Sequence, residues 1–104
     1  SNGFANLQSR KLKSGGIDKY ITKLILSDDI DVTKPDRRLF DYALEQVGGT
    51  PETTVMIGDN YDADILGANN AGWHTIFFNR KNVVLETNVA DLTVTRLTDI
   101  IAWL

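Results

Sequence analysis

Asp59 and Asp64 stand five residues apart, just after an apolar run, Val55-Met56-Ile57, that stops at Gly58. Two carboxylates converging at one turn offer hard oxygen ligands. The cation that suits them is Mg²⁺, which binds through one or two carboxylates and keeps water or phosphate oxygens in its remaining positions. A third charged group, Lys34, precedes Pro35-Asp36. Proline disfavours the helical region for the residue before it and suits the first turn of a helix, so Lys34 is held extended where a helix starts. Ser1-Asn2-Gly3 places a hydroxyl beside an Asn-Gly turn signal. A hydroxyl at Asn-Gly, an extended lysine ahead of a helix and a GDxxxxD turn together point to one kind of site. The simpler account of the Gly-Asp pair alone is that Asp59 ends a strand and Asp64 caps a helix.

The elements that must position these residues follow from periodicity. Val55 to Ile57, bounded by glycine, reads as a buried parallel strand. The helix after it is expected to be capped by Asp62 or Asp64, to turn Ile65, Leu66 and Ala68 inward, and to end at Gly72. A strand feeding a helix puts the connecting turn at the carboxyl end of a sheet, where open α/β folds bind ligands. Phe4, Leu7 and Lys11 share one face of a helix expected to end at Gly15-Gly16, although a leading Ser-Asn also reads as a scar of tag removal. Ile17 to Tyr20 reads as a turn or short helix, and Lys23 to Ser27 as a strand. A helix from Pro35 to about Val47 carries Leu39, Phe40, Ala43, Leu44 and Val47 on one stripe, and Gly48-Gly49 stops it. His74 to Asn79 and Ala90 to Val94 read as further strands, and a closing helix offers Leu97, Ile100, Ile101 and Leu104 at buried-face spacing. Strands alternating with helices of this length argue for an α/β fold with a parallel sheet.

At 104 residues the length suits one domain, and 42% hydrophobic residues supply a modest core. Eleven basic against 14 acidic side chains give a net charge of −3, which argues against nucleic acid as a partner. The absence of cysteine excludes a disulfide framework and a thiol nucleophile. No apolar run approaches the roughly 18 residues of a membrane span, so the expectation is a cytoplasmic protein without membrane contact.

In this order the pieces resemble the later motifs of the haloacid dehalogenase-like (HAD) hydrolases. Ser1-Asn2-Gly3 is similar to motif II, Lys34-Pro35-Asp36 to motif III, and Gly58-Asp59 with Asp64 to motif IV. The resemblance runs over nearly the whole chain and implies the C-terminal part of a Rossmann-like core, a parallel sheet flanked by helices that lacks its N-terminal strands and cap. It implies a Mg²⁺-dependent phosphatase acting on a small phosphomonoester, a nucleotide or sugar phosphate, through an aspartyl-phosphate. Ser1, Asn2 and Gly3 would bind phosphoryl oxygens, Lys34 would bind the phosphoryl group beside the nucleophile, and Asp59 and Asp64 would serve the metal. Dehalogenases of the family need no metal and lack the Gly-Asp pair, which favours the phosphate enzymes.

Motif I, an apolar strand ending in D-x-D with the nucleophile, has no counterpart ahead of Ser1. Leu24 to Thr33, LILSDDIDVT, imitates it, but only about 28 residues separate it from Asp59, too few for the two further strands the family places there. The chain alone is therefore expected to be inactive, and the alternative is a non-enzymatic module that binds phosphate, a metal or a protein. An EF-hand reading of Asp62, Asp64 and Gly67 fails, because the twelfth position from Asp62 is Trp73 instead of Glu. In the family's sheet the strands bearing motifs I and II separate KLIL from TVMI. Without them, either KLIL pairs directly with TVMI, or the N-terminal half of the parent or a second copy of this chain fills the space.

Overall fold

Thr54–Gly58 forms β3, with all five residues buried. Thr54, Val55 and Ile57 are β-branched and stiff at χ1, which suits a strand packed on both faces. The computed structural model describes residues 4–14, 16–26 and 37–104. Around β3 lie β1 (Phe4–Ser14), β2 (Ile17–Leu26), β4 (His74–Phe78) and β5 (Leu92–Val94), in the sheet order β1-β2-β3-β4-β5. The strands from β2 to β5 run parallel and β1 is antiparallel to β2. The helices are α1 (Arg37–Val47), α2 (Leu66–Asn70) and α3 (Leu97–Trp103). This is the expected α/β, Rossmann-like sheet with helices against it, carrying one antiparallel edge strand.

The period of two along the strands divides the core into two layers. Ile25 and Met56 meet α1 through Phe40 and Ala43 and α2 through Ala68, with Trp73 among them. The Phe40 and Trp73 rings meet edge to face at 5.6 Å. Leu39, Leu44 and Val47 border this layer, as the helical stripe predicts. Leu24, Val55, Ile57 and Ile76 form a second cluster with Leu12, Ile21 and Val94 of the same sheet and Ile100 of α3. Successive crossovers that advance in one direction across the sheet put α1 and α2 on a common face. No helix among the described residues is long and apolar enough to cross a membrane.

Four sequence expectations meet corrections or answers here. Phe4–Ser14, expected as a helix, is a strand, and Ile17 to Tyr20 continues β2 instead of turning. Gly16, at φ +78°, supplies the left-handed residue of the connection between them. The strand wins because it buries Leu12 to 1% exposure in one core cluster with Ile21, and because β2 would otherwise present an unpaired backbone edge. In the closing helix, Ile100 is buried, but Leu97, Ile101 and Leu104 are exposed. The helix is turned by Trp103, whose Nε1 donates to the Lys11 carbonyl at 2.7 Å. Finally, β2 pairs directly with β3, Lys23 opposite Thr54 through Leu26 opposite Ile57.

Burial at position 12 separates strand from helix in solution. Leu12→Ala should cost about 2–5 kcal/mol in urea unfolding, the range for a fully buried leucine, and the half-buried Leu7→Ala clearly less. Equal costs, or a larger cost at Leu7, would restore the helical reading of this segment.

Candidate active site

The register of the parallel strands brings three carboxyl ends side by side: Leu26 lies opposite Ile57, and Gly58 opposite Phe77. The chain leaves β3 at Gly58-Asp59 and enters a wide helical turn, Tyr61–Ile65, that runs straight into α2. Asn60 caps this turn, its side-chain Oδ1 accepting from the Ala63 N–H at 3.1 Å. The expected caps, Asp62 and Asp64, do not fill that position. Asp62 is exposed, and Asp64, only 2% exposed, reaches back so that its Oδ2 accepts from the Asn60 N–H at 3.0 Å. The Asp64 N–H donates in turn to the Asn60 carbonyl at 2.8 Å. The Asn60 side chain thus accepts from the Ala63 N–H while the Asp64 side chain accepts from the Asn60 N–H, so that two backbone donors are satisfied by side chains much as in a capping box. Of the three residues expected to turn inward, Ile65 and Ala68 are fully buried and Leu66 only partly.

Gly58 makes this possible by having no side chain. A Cβ built there would sit 2.6 Å from the Asp64 Cβ and 2.7 Å from its Cγ, and would also strike Oδ2. Asp64 therefore packs into the space a larger residue would occupy at the end of β3.

Asp59 is the more open carboxylate, its side chain 35% exposed. Its Oδ2 lies 2.8 Å from Nη2 of Arg80, whose side chain is 60% exposed. Arg80 follows the carboxyl end of β4 and was not singled out by sequence reading, nor was Asn79. The signal was present: a polar Asn-Arg pair directly after an apolar strand occupies the same kind of position as Gly-Asp after β3. Asn79 is 7% exposed and staples the following turn, its amide donating to the Val83 carbonyl at 2.9 Å and its Oδ1 accepting from the Val83 N–H at 2.8 Å. Tyr61 fixes the far end of the same connection. Its hydroxyl donates to the Thr87 carbonyl at 3.1 Å and accepts from the Val89 N–H at 2.8 Å, while its ring meets Phe77 edge-on at 5.3 Å.

Two concavities open at these strand ends. One, of about 270 Å³, is lined by Leu26, Ile57, Gly58, Asp59, Phe78, Arg80, Leu97 and Ile100. The other, of about 300 Å³, is lined by Asp59, Asn60, Tyr61, Phe77, Phe78, Asn79, Arg80, Lys81 and Val83. Asp59, Phe78 and Arg80 belong to both. One carboxylate and two cationic side chains at the mouth of a partly apolar hollow can receive a hard cation and an anionic ligand. His74 lies elsewhere, with Nδ1 3.3 Å from the Asp91 Oδ2 that also accepts from the Thr75 N–H.

Asp59 and Asp64 thus belong to one short turn, held by backbone hydrogen bonds and by the close approach at Gly58. Ser1, Asn2, Gly3 and Lys34 lie outside the described residues, as do Asp29 and Asp31 of the imitation motif. Among the described residues no cluster of three or more His, Asp or Glu side chains converges. A two-carboxylate set still fits Mg²⁺, which commonly takes one or two protein carboxylates and leaves the rest of its shell to water and phosphate.

A family model, described as HAD-hydrolase-like, matches residues 32–99. The chain belongs to the HAD-like hydrolases. It is 42% identical over 80 residues to the pyrimidine 5'-nucleotidase YjjG of Escherichia coli K12, covering 76% of this chain and 36% of that protein. It is 37% identical over 99 residues to the glyceraldehyde 3-phosphate phosphatase of Methanothermobacter thermautotrophicus, covering 90% and 44%. The HAD-hydrolase YfnB of Bacillus subtilis, solved bound to magnesium, superposes with a TM-score of 0.60 at 27% identity, covering 73% of this chain and 34% of that one. The HAD-like chain therefore spans less than half the length of these relatives; the two curated ones are named as a nucleotidase and a phosphatase, and solved structures of similar fold include a 2-haloacid dehalogenase of Pseudomonas syringae at 26% identity and a TM-score of 0.60.

The contact between Gly58 and Asp64 is open to a double-mutant cycle. Gly58→Ala should cost about 1–3 kcal/mol by overpacking. In an Asp64→Ala background the same change should cost clearly less, with a coupling of about 0.5–3 kcal/mol in chemical denaturation. Additive costs would mean that the close approach does not shape this turn.

Proposed function

We propose that this chain is the C-terminal part of the core of a Mg²⁺-dependent HAD-like phosphatase that hydrolyses a small phosphomonoester, a nucleotide or sugar phosphate, through an aspartyl-phosphate. The observation that carries the reading is the Gly58–Asp64 turn. It holds one open and one buried carboxylate at the carboxyl end of β3, beside a hollow with Arg80 and Lys81 in its wall. The phosphatase names of the relatives support the reaction class, and the magnesium in the YfnB structure supports the metal.

In this reading Asp59 and Asp64 hold Mg²⁺, Asp59 as the accessible donor and Asp64 as the residue that fixes the turn. The metal supplies charge neutralisation on the phosphoryl oxygens, which is most of what phosphoryl transfer requires. The Ser1 hydroxyl, Asn2 and the Gly3 amide would hydrogen-bond the same oxygens, and the Lys34 ammonium would stand beside the phosphoryl group and the nucleophile. That nucleophile would come from the family's D-x-D motif, which lies ahead of the other motifs in the chain order of the parent.

One observation favours a second reading, a non-enzymatic module that binds phosphate, a metal or a partner protein. Direct pairing of β2 with β3 closes the place where the family's sheet holds the nucleophile strand. An active parent would have to open that pairing and insert two strands there.

Turnover distinguishes the readings. In a full-length parent, Asp59→Ala should lower Mg²⁺-dependent hydrolysis of an aryl phosphate by about three decades, since the metal's share of transition-state stabilisation is several kcal/mol. Unchanged turnover would remove Asp59 from the catalytic set. The 104-residue chain alone should show none. Turnover of the purified chain that vanishes in Asp29→Asn would move the nucleophile to the Leu24–Thr33 segment.

A further inference from the structure

We propose that Arg80 is a displaceable counter-ion of Asp59, and that it sets the affinity of this site for a divalent cation by competing for the same carboxylate. The inference rests on the reading of Asp59 as a metal ligand. Four observations carry it. First, the guanidinium already occupies the position of a cation, with Nη2 at 2.8 Å from Asp59 Oδ2. Second, of the two carboxylates only Asp59 lines the concavities, whereas Asp64 is buried and accepts from the Asn60 N–H. A cation entering from solvent therefore meets the carboxylate that Arg80 holds. Third, both partners are solvent-exposed, so the pair is screened and opens at little cost. Fourth, the Asn79 side chain is tied to the Val83 backbone, which holds the turn that carries Arg80 at this mouth.

The charges make the competition unavoidable. Arginine does not lose its proton in proteins, so a dication arriving at Asp59 cannot neutralise it. The guanidinium swings away, or the cation binds beside a positive charge and binds weakly. Once released, Arg80 remains with Lys81 in the wall of the neighbouring hollow.

The test is Mn²⁺ titration of the purified 104-residue chain, with free ion read by electron paramagnetic resonance and the fold checked by circular dichroism. Arg80→Gln should tighten Mn²⁺ binding by about two- to tenfold, and Arg80→Ala should match it. Arg80→Lys, which keeps the charge, should stay closer to wild type. The gap between wild type and Arg80→Gln should narrow in about 0.5 M KCl, where charges are screened beyond a few ångströms. Wild-type affinity in both neutral variants overturns the inference. Asp59→Asn locates the failure. If it abolishes Mn²⁺ binding while Arg80→Gln changes nothing, only the counter-ion role falls. If Asp59→Asn binds as wild type does, or if neither wild type nor Arg80→Gln binds Mn²⁺, the metal reading of Asp59 falls and the inference with it.

Discussion

The Asp64 carboxylate is buried against the end of β3, and the local geometry of the site depends on it. A buried carboxylate is costly unless its oxygens are hydrogen-bonded, and here the Asn60 N–H donates to one of them. That bond, the reciprocal one from the Asp64 N–H and the missing side chain at Gly58 leave the turn little freedom. Asp59, one residue beyond Gly58, is thereby placed at the mouths of both hollows. Asp59 and Asp64 differ in role because they differ in burial. One carboxylate organises the backbone, and the other stays accessible.

The second constraint is the parallel register. Pairing β2, β3 and β4 in one direction gathers their carboxyl ends, and the connections leaving β3 and β4 start side by side there. Helices α1 and α2 are packed on one face, so these loops open toward the sheet's end. The connection after β4 is polar and has few apolar anchors, yet it is tied at both ends by Asn79 and by the Tyr61 hydroxyl. Those ties bring a cation, Arg80, to a carboxylate twenty-one residues earlier in the chain.

Direct β2–β3 pairing closes one edge of each strand against the other. An open edge leaves N–H and C=O groups without partners, and closing it satisfies them all at once. Helix α1 serves equally well as a crossover between adjacent strands or between distant ones. The same drive accounts for β1, which covers the outer edge of β2.

Local rules were enough for the elements whose pattern and punctuation agree. Val55 to Ile57 between polar flanks, the five-residue stripe of α1 and the stop at Gly72 each carry their structure in short-range chemistry, and so does the position of Asp59 and Asp64 at a strand-to-helix turn. The family was legible too, from a resemblance of three short motifs, of which Gly58-Asp59 with Asp64 lies among the described residues. Phe4–Ser14 was not legible, because Phe4, Leu7 and Lys11 at helical spacing compete with Leu12 facing inward at strand spacing, and only the need to cover the edge of β2 decides between them. The face of α3 likewise depended on Trp103 finding the Lys11 carbonyl, a partner 92 residues away. The ion pair between Arg80 and Asp59 is of the same kind. Sequence determined that each charge stands after a strand, but only the register of two parallel strands and the staple at Asn79 decided that the charges meet, because contact between distant residues is set by packing and not by propensity.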